Sequence, residues 1–470
     1  MKKIIIILVL ITTSLNAQNT KNQGLSLEEC IQIALDNNIN LKRSYLQAKT
    51  ERLNFRGTKS RVLPAINGSY SYAVNKGRSI DPYTNDVIDQ QFSYSNAGLR
   101  LNAPIFNGFE LRNSIQRDRY NMEAAQAEKE ATKQQLILDV TLAYFQVLNT
   151  RDLWELTKLR LESTIKQTNR IKSLNDEGAG NPADYTDIKG QLNNDQSAVI
   201  AAKNNMQQSQ LNLAQLLNVD TEVKVTEFHA LAEIKKHELS AEEIYLESLE
   251  NLQVFDGQRL RIKATKEDIA VARSIFVPDI SLFAQLNTNY SSLASLLNET
   301  GTQVLETGGF ISINEIAYPV LANESQFSQQ DISYFDQLDN NLSSVAGISM
   351  DVPIFNGFRG KRSVALKKIQ MEDAKLQLEN TKNEYFQAIK LAYSDMEAAY
   401  ENYFVLRDQV RAYEHSYEVN EIRFTDGVSN IVEYIISKNN LDRSMINQTN
   451  AKYEFLIRIK ILEYYRGKIE

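Results

Sequence analysis

Four segments of the chain alternate apolar and polar residues with a period of two, which is the pattern of β-strands. The alternating segments are residues 66–74, 99–103, 280–286 and 346–352. Phe283 interrupts the third segment. We predict two strand pairs, at about 63–106 and about 277–355. Strands of about ten residues suit a tilted membrane crossing, and they suit equally a soluble hairpin with one hydrated face.

Long stretches without proline or glycine follow each strand pair and predict helices. Residues 111–173 and 362–423 are such stretches, and at 1.5 Å per residue each is roughly 90 Å of helix. In the first stretch a coiled-coil seam steps by four, three and four residues. The seam residues are Leu136, Val140, Ala143 and Val147. A similar stripe over 389–417 is predicted to pack rather than to form a site.

Each long helix is predicted to end in a glycine-containing turn, because glycine after the last turn is common helix-stop chemistry. The turns are residues 174–182 and 424–430, and returning helices are predicted at 183–217 and 431–465. The chain is therefore expected to form two helical hairpins, at about 111–217 and 362–465.

The peptide Pro-Ile-Phe-Asn-Gly occurs at residues 104–108 and again at 353–357, an offset of 249. Earlier in the chain, Leu25 and Leu239 begin similar segments at an offset of 214. The offset changes once, so the second half carries 35 extra residues, which fall within 287–341. The offset is constant before the insertion and constant again after it, which indicates a duplicated unit with one enlarged loop.

The first 17 residues are predicted to be a secretory signal peptide. Two lysines precede a short apolar run, and small-residue sequence ends at Ala17. The alternative is a membrane anchor, but the apolar run is far short of the ~20 residues that a span requires. The remaining chain divides into a first repeat, 18–238, and a second repeat, 239–470. Each repeat contains a short helix, a strand pair and a helical hairpin.

Composition argues against several functions. The chain has 52 Lys and Arg against 59 Asp and Glu, a formal charge of −7, whereas nucleic-acid binding requires a basic face. Cys30, the single cysteine, is predicted to be a small apolar residue on the first helix. The three histidines are not spaced as a metal pair, and no nucleophile motif or phosphate loop is present. We predict no enzyme activity, cofactor or metal site.

Four strands per chain are too few to close a barrel, because the smallest barrels need about eight. Open strand edges are not tolerated in lipid, where unpaired backbone groups find no water. If the strands cross a membrane, several copies of the chain must therefore combine them. Three copies would supply twelve strands.

The duplicated unit, the Pro-Ile-Phe-Asn-Gly peptides and the glycine-containing hairpin tips resemble the TolC-type outer-membrane efflux proteins, or outer membrane factors. The resemblance covers about residues 24–466. It implies an α+β membrane protein, a homotrimer in which a transmembrane β-barrel of four strands per chain continues as a long α-helical coiled-coil barrel in the periplasm.

The function that the resemblance implies is a channel in the outer membrane. It would be the passive exit duct of a tripartite efflux or type I secretion system. A periplasmic adaptor and an inner-membrane pump would be its partners, and drugs, metals or proteins its cargo. The alternative is a periplasmic coiled-coil adaptor or scaffold protein, which would explain the helices but not four alternating strands.

The resemblance also implies an acidic entrance at the periplasmic end. Its matching residue is Glu433, and the first-repeat equivalents are Asp184 and Asp187. In the family the acid at the position of Asp184 bonds a tyrosine and an arginine of the neighbouring hairpin tip, but this chain has Phe424 and Ser429 at the positions of those two residues. Arg423 is adjacent and is predicted to reach Asp184 instead. The alternative for Glu433 is a solvated acid in the first turn of a helix.

Two further sets of residues follow from the resemblance. Adaptor-contacting hairpin tips are predicted at Gly178, Gly180, Asn181, Gly427, Val428, Ser429 and Asn430. Strand-to-helix turns are predicted at Pro104, Phe106, Gly108, Pro353, Phe355 and Gly357. The enlarged loop, 287–341, lies in a stretch without Lys or Arg but with several acids. We predict that it partly covers the exit and disfavours anions, the alternative being a solvated loop without a role.

Overall fold

The computed structural model describes residues 24–81, 85–220, 223–226 and 239–468. The predicted signal peptide, residues 1–17, lies outside the described residues, as do two of the three histidines, His229 and His237.

The described helices follow the chain in this order. They are α1 Leu27–Asn37, α2 Ile39–Ser60, α3 Glu110–Asp176, α4 Pro182–Leu217, α5 Ala241–Asn251, α6 Gln253–Arg273, α7 Tyr334–Asn340, α8 Arg359–Thr425 and α9 Ile431–Tyr465. The two long helices, α3 and α8, have 67 residues each. They extend the predicted stretches by at most three residues at either end, and the returning helices α4 and α9 start and end within one residue of the prediction.

Two short helices begin with the same cap. Ser26 and Ser240 each accept a hydrogen bond from the backbone of the third helical residue, Glu29 or Glu243. Each glutamate in turn accepts from the backbone N–H of its serine, so two otherwise unpaired donors are satisfied. Cys30 on α1 is fully buried, and burial raises the pKa of its thiol to about 12. This confirms the prediction of a small apolar residue on the first helix.

The strands are β1 Ala65–Asn75, β2 Arg78–Ile80, β3 Val87–Asp89, β4 Phe92–Asn107, β5 Asp279–Ser291, β6 Ser295–Ile313, β7 Ile316–Asp331 and β8 Ser343–Asp351. Within the described residues, β1, β4, β5 and β8 form one sheet in that order, and each neighbouring pair is antiparallel. The predicted strand pairs are therefore confirmed as strands. Phe283, which interrupts the alternation, pairs with Gly347, and its ring occupies the space that a side chain there would need.

The segment predicted as one enlarged loop, 287–341, is instead mostly regular structure. After the end of β5 the chain forms a long antiparallel hairpin of β6 and β7, followed by α7. The hairpin turns at Asn314 and Glu315, which both have positive φ, 53° and 62°. This is the conformation of the turn that matches strand twist, although Asn-Gly is its usual sequence.

The described residues fall into two compact units. The first comprises the described parts of Met1–Leu53, Asp118–Thr265 and Gln370–Glu470. The second comprises the described parts of Asn54–Arg117 and Lys266–Ile369. Each unit takes segments from both halves of the chain. No helix among the described residues is long and apolar enough to cross a membrane.

The core of the first unit lies along the long helices. Three members of the predicted α3 seam, Leu136, Val140 and Val147, are buried, and Ala143 packs against the same cluster. They meet Cys30 of α1 and buried side chains of α4 and α9, which confirms the seam. On α8, Ile389 and Met396 are buried with Tyr393 and Tyr400 beside them. That part of the 389–417 stripe therefore packs as predicted.

Candidate functional site

The four-stranded sheet of the second unit has one face that is mainly apolar, with Ser93, Ser95, Thr288 and Ser344 as its polar members. Residues directly opposite each other on neighbouring strands have their side chains on the same face of the sheet. The strand register therefore shows on which face each side chain lies. The face carries Ile66, Gly68, Tyr70, Tyr72 and Val74 of β1, Ala97, Leu99, Leu101 and Ala103 of β4, Ile280, Leu282, Ala284, Leu286 and Tyr290 of β5, and Ala346, Ile348 and Met350 of β8. Ile66, Tyr70, Ile348 and Met350 are each more than 60% exposed. In a water-soluble protein such a surface requires a covering partner.

The opposite face of the same sheet is mainly polar, although Ala73, Tyr94, Phe283 and Val345 also lie on it. It carries Asn67, Ser69 and Ser71 of β1, Asn96, Arg100 and Asn102 of β4, Ser281, Gln285, Asn287 and Asn289 of β5, and Ser343, Ser349 and Asp351 of β8. Among the residues of these four strands, all of which the structure describes, the charged ones are Arg100, Asp279 and Asp351. The two aspartates lie at strand ends, and Arg100 lies in the middle of β4.

The first Pro-Ile-Phe-Asn-Gly peptide joins β4 to α3 through a strained turn. Pro104 faces Ser281, and the register shifts between Pro104 and Phe106, because proline has no N–H to donate to the ladder. Gly108 and Phe109 then both adopt positive φ, 60° and 64°. A Cβ on Gly108 would lie 2.8 Å from the Cβ of Val277, so glycine is required by conformation and by space.

The second peptide differs from the first in one respect. Here β8 ends at Asp351, so Pro353 and Phe355 lie outside the strand, and the second strand pair, predicted to extend to about residue 355, ends four residues earlier. β4 has a neighbour on both sides, whereas β8 has β5 on one side only. The turn itself recurs, with Gly357 and Phe358 at φ 63° and 61°. In both copies the phenylalanine rings meet edge-on, Phe106 with Phe109 and Phe355 with Phe358.

The two helical-hairpin tips of the first unit share one geometry. Gly178 and Gly427 adopt left-handed φ, 75° and 73°, with open space around them. The N–H groups of Gly180 and Ser429 bond back to the carbonyls of Leu174 and Arg423, which is a common helix stop. The next residue in each tip, Asn181 or Asn430, caps the returning helix with its side chain. Val428 at the second tip is 69% exposed.

The predicted entrance residues lie beside these caps. Glu433 is the third residue of α9, and its N–H donates to the Oδ1 of Asn430 at 2.9 Å. Asp184 holds the corresponding position on α4 and accepts from the Nδ2 of Asn181 at 3.2 Å. Asp187 is exposed one turn later. Within the described part of a single chain, Arg423 forms no ion pair with Asp184, so that pairing stays a prediction.

An aromatic cluster occupies the place where the family resemblance implied a polar latch. Phe424 stacks on Tyr434 with ring centroids 5.2 Å apart, and Tyr434 is buried with Ile171, Ile188 and Ile431. The Tyr434 hydroxyl lies 3.4 Å from that of Tyr417. Burial raises the pKa of Tyr434 above its ordinary value, so this phenol stays neutral at physiological pH. The cluster joins all four helices of the two hairpins near their tips.

Arg170, which sequence analysis did not single out, provides a polar link between the tips. Its Nη1 donates to the Oγ1 of Thr425 at 3.0 Å, and its Nη2 donates to the backbone carbonyl of the same residue at 3.1 Å. Thr425 is the last residue of α8. A cation at the carboxyl end of a helix is favoured by the helix dipole. An arginine of one hairpin therefore holds the end of the other.

A buried network of four charges joins the hairpins further along the helices. Asp195 of α4 is fully buried, and Lys438 of α9 is 3% exposed. The Nη2 of Arg160 lies 2.9 Å from the Oδ1 of Asp195, and the Nζ of Lys438 lies 3.3 Å from its Oδ2. Asp442 lies within 2.9 Å of both cations. Two cations and two anions balance, so no net charge is left in the interior.

Neutral side chains complete this network. Thr164 and Gln191 donate to the two oxygens of Asp195 at 2.6 Å and 2.8 Å. Asn439 exchanges hydrogen bonds with Gln191 and accepts one from Arg160. The partners of Asp195 come from three helices and are as far as 243 residues away in sequence, which is why the sequence alone did not reveal them.

A sequence model of the outer membrane efflux protein family matches residues 30–219 and 245–463 of this chain. The chain belongs to that family. The prediction based on the duplicated peptide and the hairpin pattern is therefore confirmed.

Individual relatives of this outer membrane efflux protein are distant in sequence. The chain is 21% identical to the outer membrane protein TolC of Escherichia coli (strain K12) over 458 residues, 96% of this chain and 83% of the relative. It is 21% identical to the outer membrane efflux protein BepC of Brucella suis biovar 1 (strain 1330) over 379 residues, 81% of this chain and 71% of the relative.

Solved structures show the same fold. The crystal structure of the CmeC outer membrane channel of Campylobacter jejuni matches with a TM-score of 0.75 at 17% identity, covering 97% of this chain and 90% of that chain. The fold of this outer membrane efflux protein is thus that of an outer-membrane channel, with long helices and a strand region. In the part of the chain that the structure describes, no group of three or more His, Cys, Asp or Glu side chains could hold a metal ion.

Proposed function

We propose that this outer membrane efflux protein is a passive exit duct, in which three copies form one channel across the outer membrane. A periplasmic adaptor and an inner-membrane pump would deliver the substrate and supply the energy. The four-stranded sheet carries this proposal, because its apolar face suits lipid and its polar face suits a water-filled lumen.

The height of the apolar face suits an outer membrane. Tyr70, Tyr72 and Tyr290 lie towards one end of it, and Phe106 lies at the other. Phe106 lies nine positions along β4 from Ala97, the partner of Tyr70. At ~3.3 Å per residue and a tilt of ~40° this is about 23 Å, close to the ~25 Å apolar band of outer-membrane barrels, which aromatic girdles flank.

Edge geometry supports closure by several copies. β1 and β8 are the outer strands of the sheet, and each leaves one edge unpaired, which lipid does not tolerate. Each successive pair is antiparallel, so β8 runs opposite to β1. The β8 edge of one copy can therefore pair with the β1 edge of the next and keep the antiparallel pattern. Three copies give twelve strands, enough for a closed barrel.

The helical unit offers further apolar surface for the same assembly. Large apolar side chains that are at least half exposed on its helices include Leu46, Leu159, Ile200, Leu211, Leu391, Val405 and Ile422. Contacts between copies would bury them. At the tips, the open glycines and the exposed Val428 leave room for close approach of an adaptor. A soluble adaptor or scaffold would leave the apolar sheet face in water, which is why the channel is the better proposal.

The test of this proposal is the native mass of the protein extracted from outer membranes in mild detergent. We expect three copies of the chain in one particle, as measured by native mass spectrometry, and channel activity of that particle in a planar bilayer. A monomer that stays soluble without detergent would overturn the proposal.

We further propose that the aromatic cluster and Arg170 hold the periplasmic entrance closed, with Glu433, Asp184 and Asp187 lining it. Replacing Arg170 by alanine should shift the entrance towards its open state, because two hydrogen bonds between the tips are lost. The bonds are exposed, so we expect about a two- to fivefold rise in open probability in single-channel recordings.

Lys172→Ala is the matched control, because Lys172 is an exposed cation two residues along the same helix. If both variants gate like the unmodified channel, the contact between Arg170 and Thr425 has no part in closing the entrance.

A further inference from the structure

Arg100 is an isolated cation in the middle of the polar sheet face. Its neighbours across the strands are Asn67 on one side and Gln285 and then Val345 on the other. Its side chain is exposed, and among the residues that the structure describes no acid pairs with it. The nearest acid along these strands, Asp279, lies six residues from Gln285, roughly 20 Å away.

The position of Arg100 near the middle of the strands is informative, because the free energy of placing an arginine there differs strongly between the lipid face and the lumen face of a barrel. On the lipid face of a barrel, an arginine near the bilayer middle costs about 2–4 kcal/mol, whereas a residue facing the lumen tunes selectivity. Leu99 and Leu101, the neighbours of Arg100 in sequence, lie on the apolar face. Side chains alternate strictly along a strand, so Arg100 faces the other way.

We propose that Arg100 is a selectivity residue of the duct, and that three copies form a ring of guanidinium groups around the lumen. This inference rests on the proposed function, since the ring exists only in the assembled barrel. A guanidinium group binds carboxylate and phosphate with paired hydrogen bonds. The ring therefore favours the passage of solutes that carry a carboxylate or a phosphate.

The dimensions of the barrel make such a ring effective. With a strand spacing of ~4.8 Å and a tilt of ~40°, twelve strands close to a backbone diameter of about 24 Å. A solute on the axis is then at most about 12 Å from the wall, comparable to the Debye length of ~8–10 Å at physiological salt. No solute passes the middle of the barrel beyond the reach of the ring's field.

Neighbouring charges of the protein leave this field uncompensated within the sheet. Asp279 lies opposite Asp351 in the strand register, at the end of the strands where the chain enters the helices. The acids of the β6–β7 hairpin, such as Glu299 and Glu306, belong to a separate two-stranded sheet. Arg100 is therefore the single charge in the middle of the four strands, all of which are described.

The experiment compares reversal potentials of purified trimers in neutral planar bilayers under a tenfold KCl gradient, at no more than about 0.1 M on the dilute side. We expect Arg100→Gln to raise the potassium-to-chloride permeability ratio about two- to threefold, with a smaller change at 1 M salt because salt screens the ring. Arg100→Lys should keep the original ratio. Inorganic phosphate should reduce the current of the unmodified channel more than that of Arg100→Gln.

Arg78→Gln is the control, because it removes the same charge from the short strand β2, outside the four-stranded sheet. Arg100→Ser is a second neutral variant in case the glutamine variant fails to assemble. Neutral variants that conduct with unchanged selectivity would overturn the inference and leave the duct intact. An unmodified protein that forms no trimer and no channel would overturn the proposed function and the inference with it.

Discussion

Replacing Leu99 by arginine should prevent the protein from accumulating as a trimer in the outer membrane. Leu99 lies on the apolar face between Gly68 and Leu286, and an arginine there would face the middle of the lipid. The cost is about 2–4 kcal/mol in each copy, so roughly three times as much in a trimer. Outer-membrane fractionation followed by gel analysis without heating would measure the loss of the trimer.

Ser71→Arg provides the matched control, because Ser71 is an exposed residue of the polar face, opposite Asn96. This variant introduces the same side chain on the opposite face of the sheet, and we expect it to assemble normally. Equal trimer yields of the Leu99→Arg and Ser71→Arg variants would mean that the apolar face does not meet lipid, and the channel proposal would fail.

Asp195→Asn should strongly destabilise the helical unit. The substitution leaves Arg160 and Lys438 buried with Asp442 as their one remaining anion, so an unpaired positive charge stays in the interior. Removing one partner of a buried charge network typically costs about 3–5 kcal/mol. We expect a large fall in the unfolding midpoint of the detergent-solubilised trimer, followed by its helical circular dichroism during a denaturant titration.

Asp187→Asn is the control for this effect. Asp187 is an exposed aspartate eight residues earlier on the same helix, and its loss should change stability by no more than about 0.5 kcal/mol. Combining Asp195→Asn with Lys438→Met should recover much of the lost stability, because the charges of Arg160 and Asp442 then balance. An unchanged midpoint for Asp195→Asn alone would contradict the role of the network.

Sequence patterns predicted the elements of this protein best where one periodicity continues without interruption. The long helices match their predicted bounds within three residues because no proline or glycine interrupts residues 111–173 or 362–423, and the seam through Val140 shows which side is buried. The alternating strands were predicted because successive side chains of a strand point to opposite faces, and in this sheet one face is mainly apolar and the other mainly polar. Hydrophobic patterns record which side of an element is apolar, and each of these elements has one apolar side.

The missed features depend on neighbours that are distant in sequence. The alternation of β6 and β7 is broken by register shifts at Gly301 and before Phe310, so the hairpin looked like a loop. The two copies of Pro-Ile-Phe-Asn-Gly differ within a single chain, where β4 has two neighbouring strands and β8 has one. Asp195 and Arg170 lie in ordinary polar stretches of helix, and their partners follow only from how the hairpins pack.

The β6–β7 hairpin has a consequence for how the protein meets proteases. Most of its residues are exposed, yet the chain contains no lysine or arginine from Ser274 to Phe358. Trypsin cleaves after those two residues alone, so it has no cleavage site in this span, which contains β5, β6, β7 and β8. Enzymes that cleave after glutamate find Glu299, Glu306, Glu315 and Glu324 within the hairpin. The protein therefore presents a long exposed ribbon that is resistant to one major class of digestive protease and open to another.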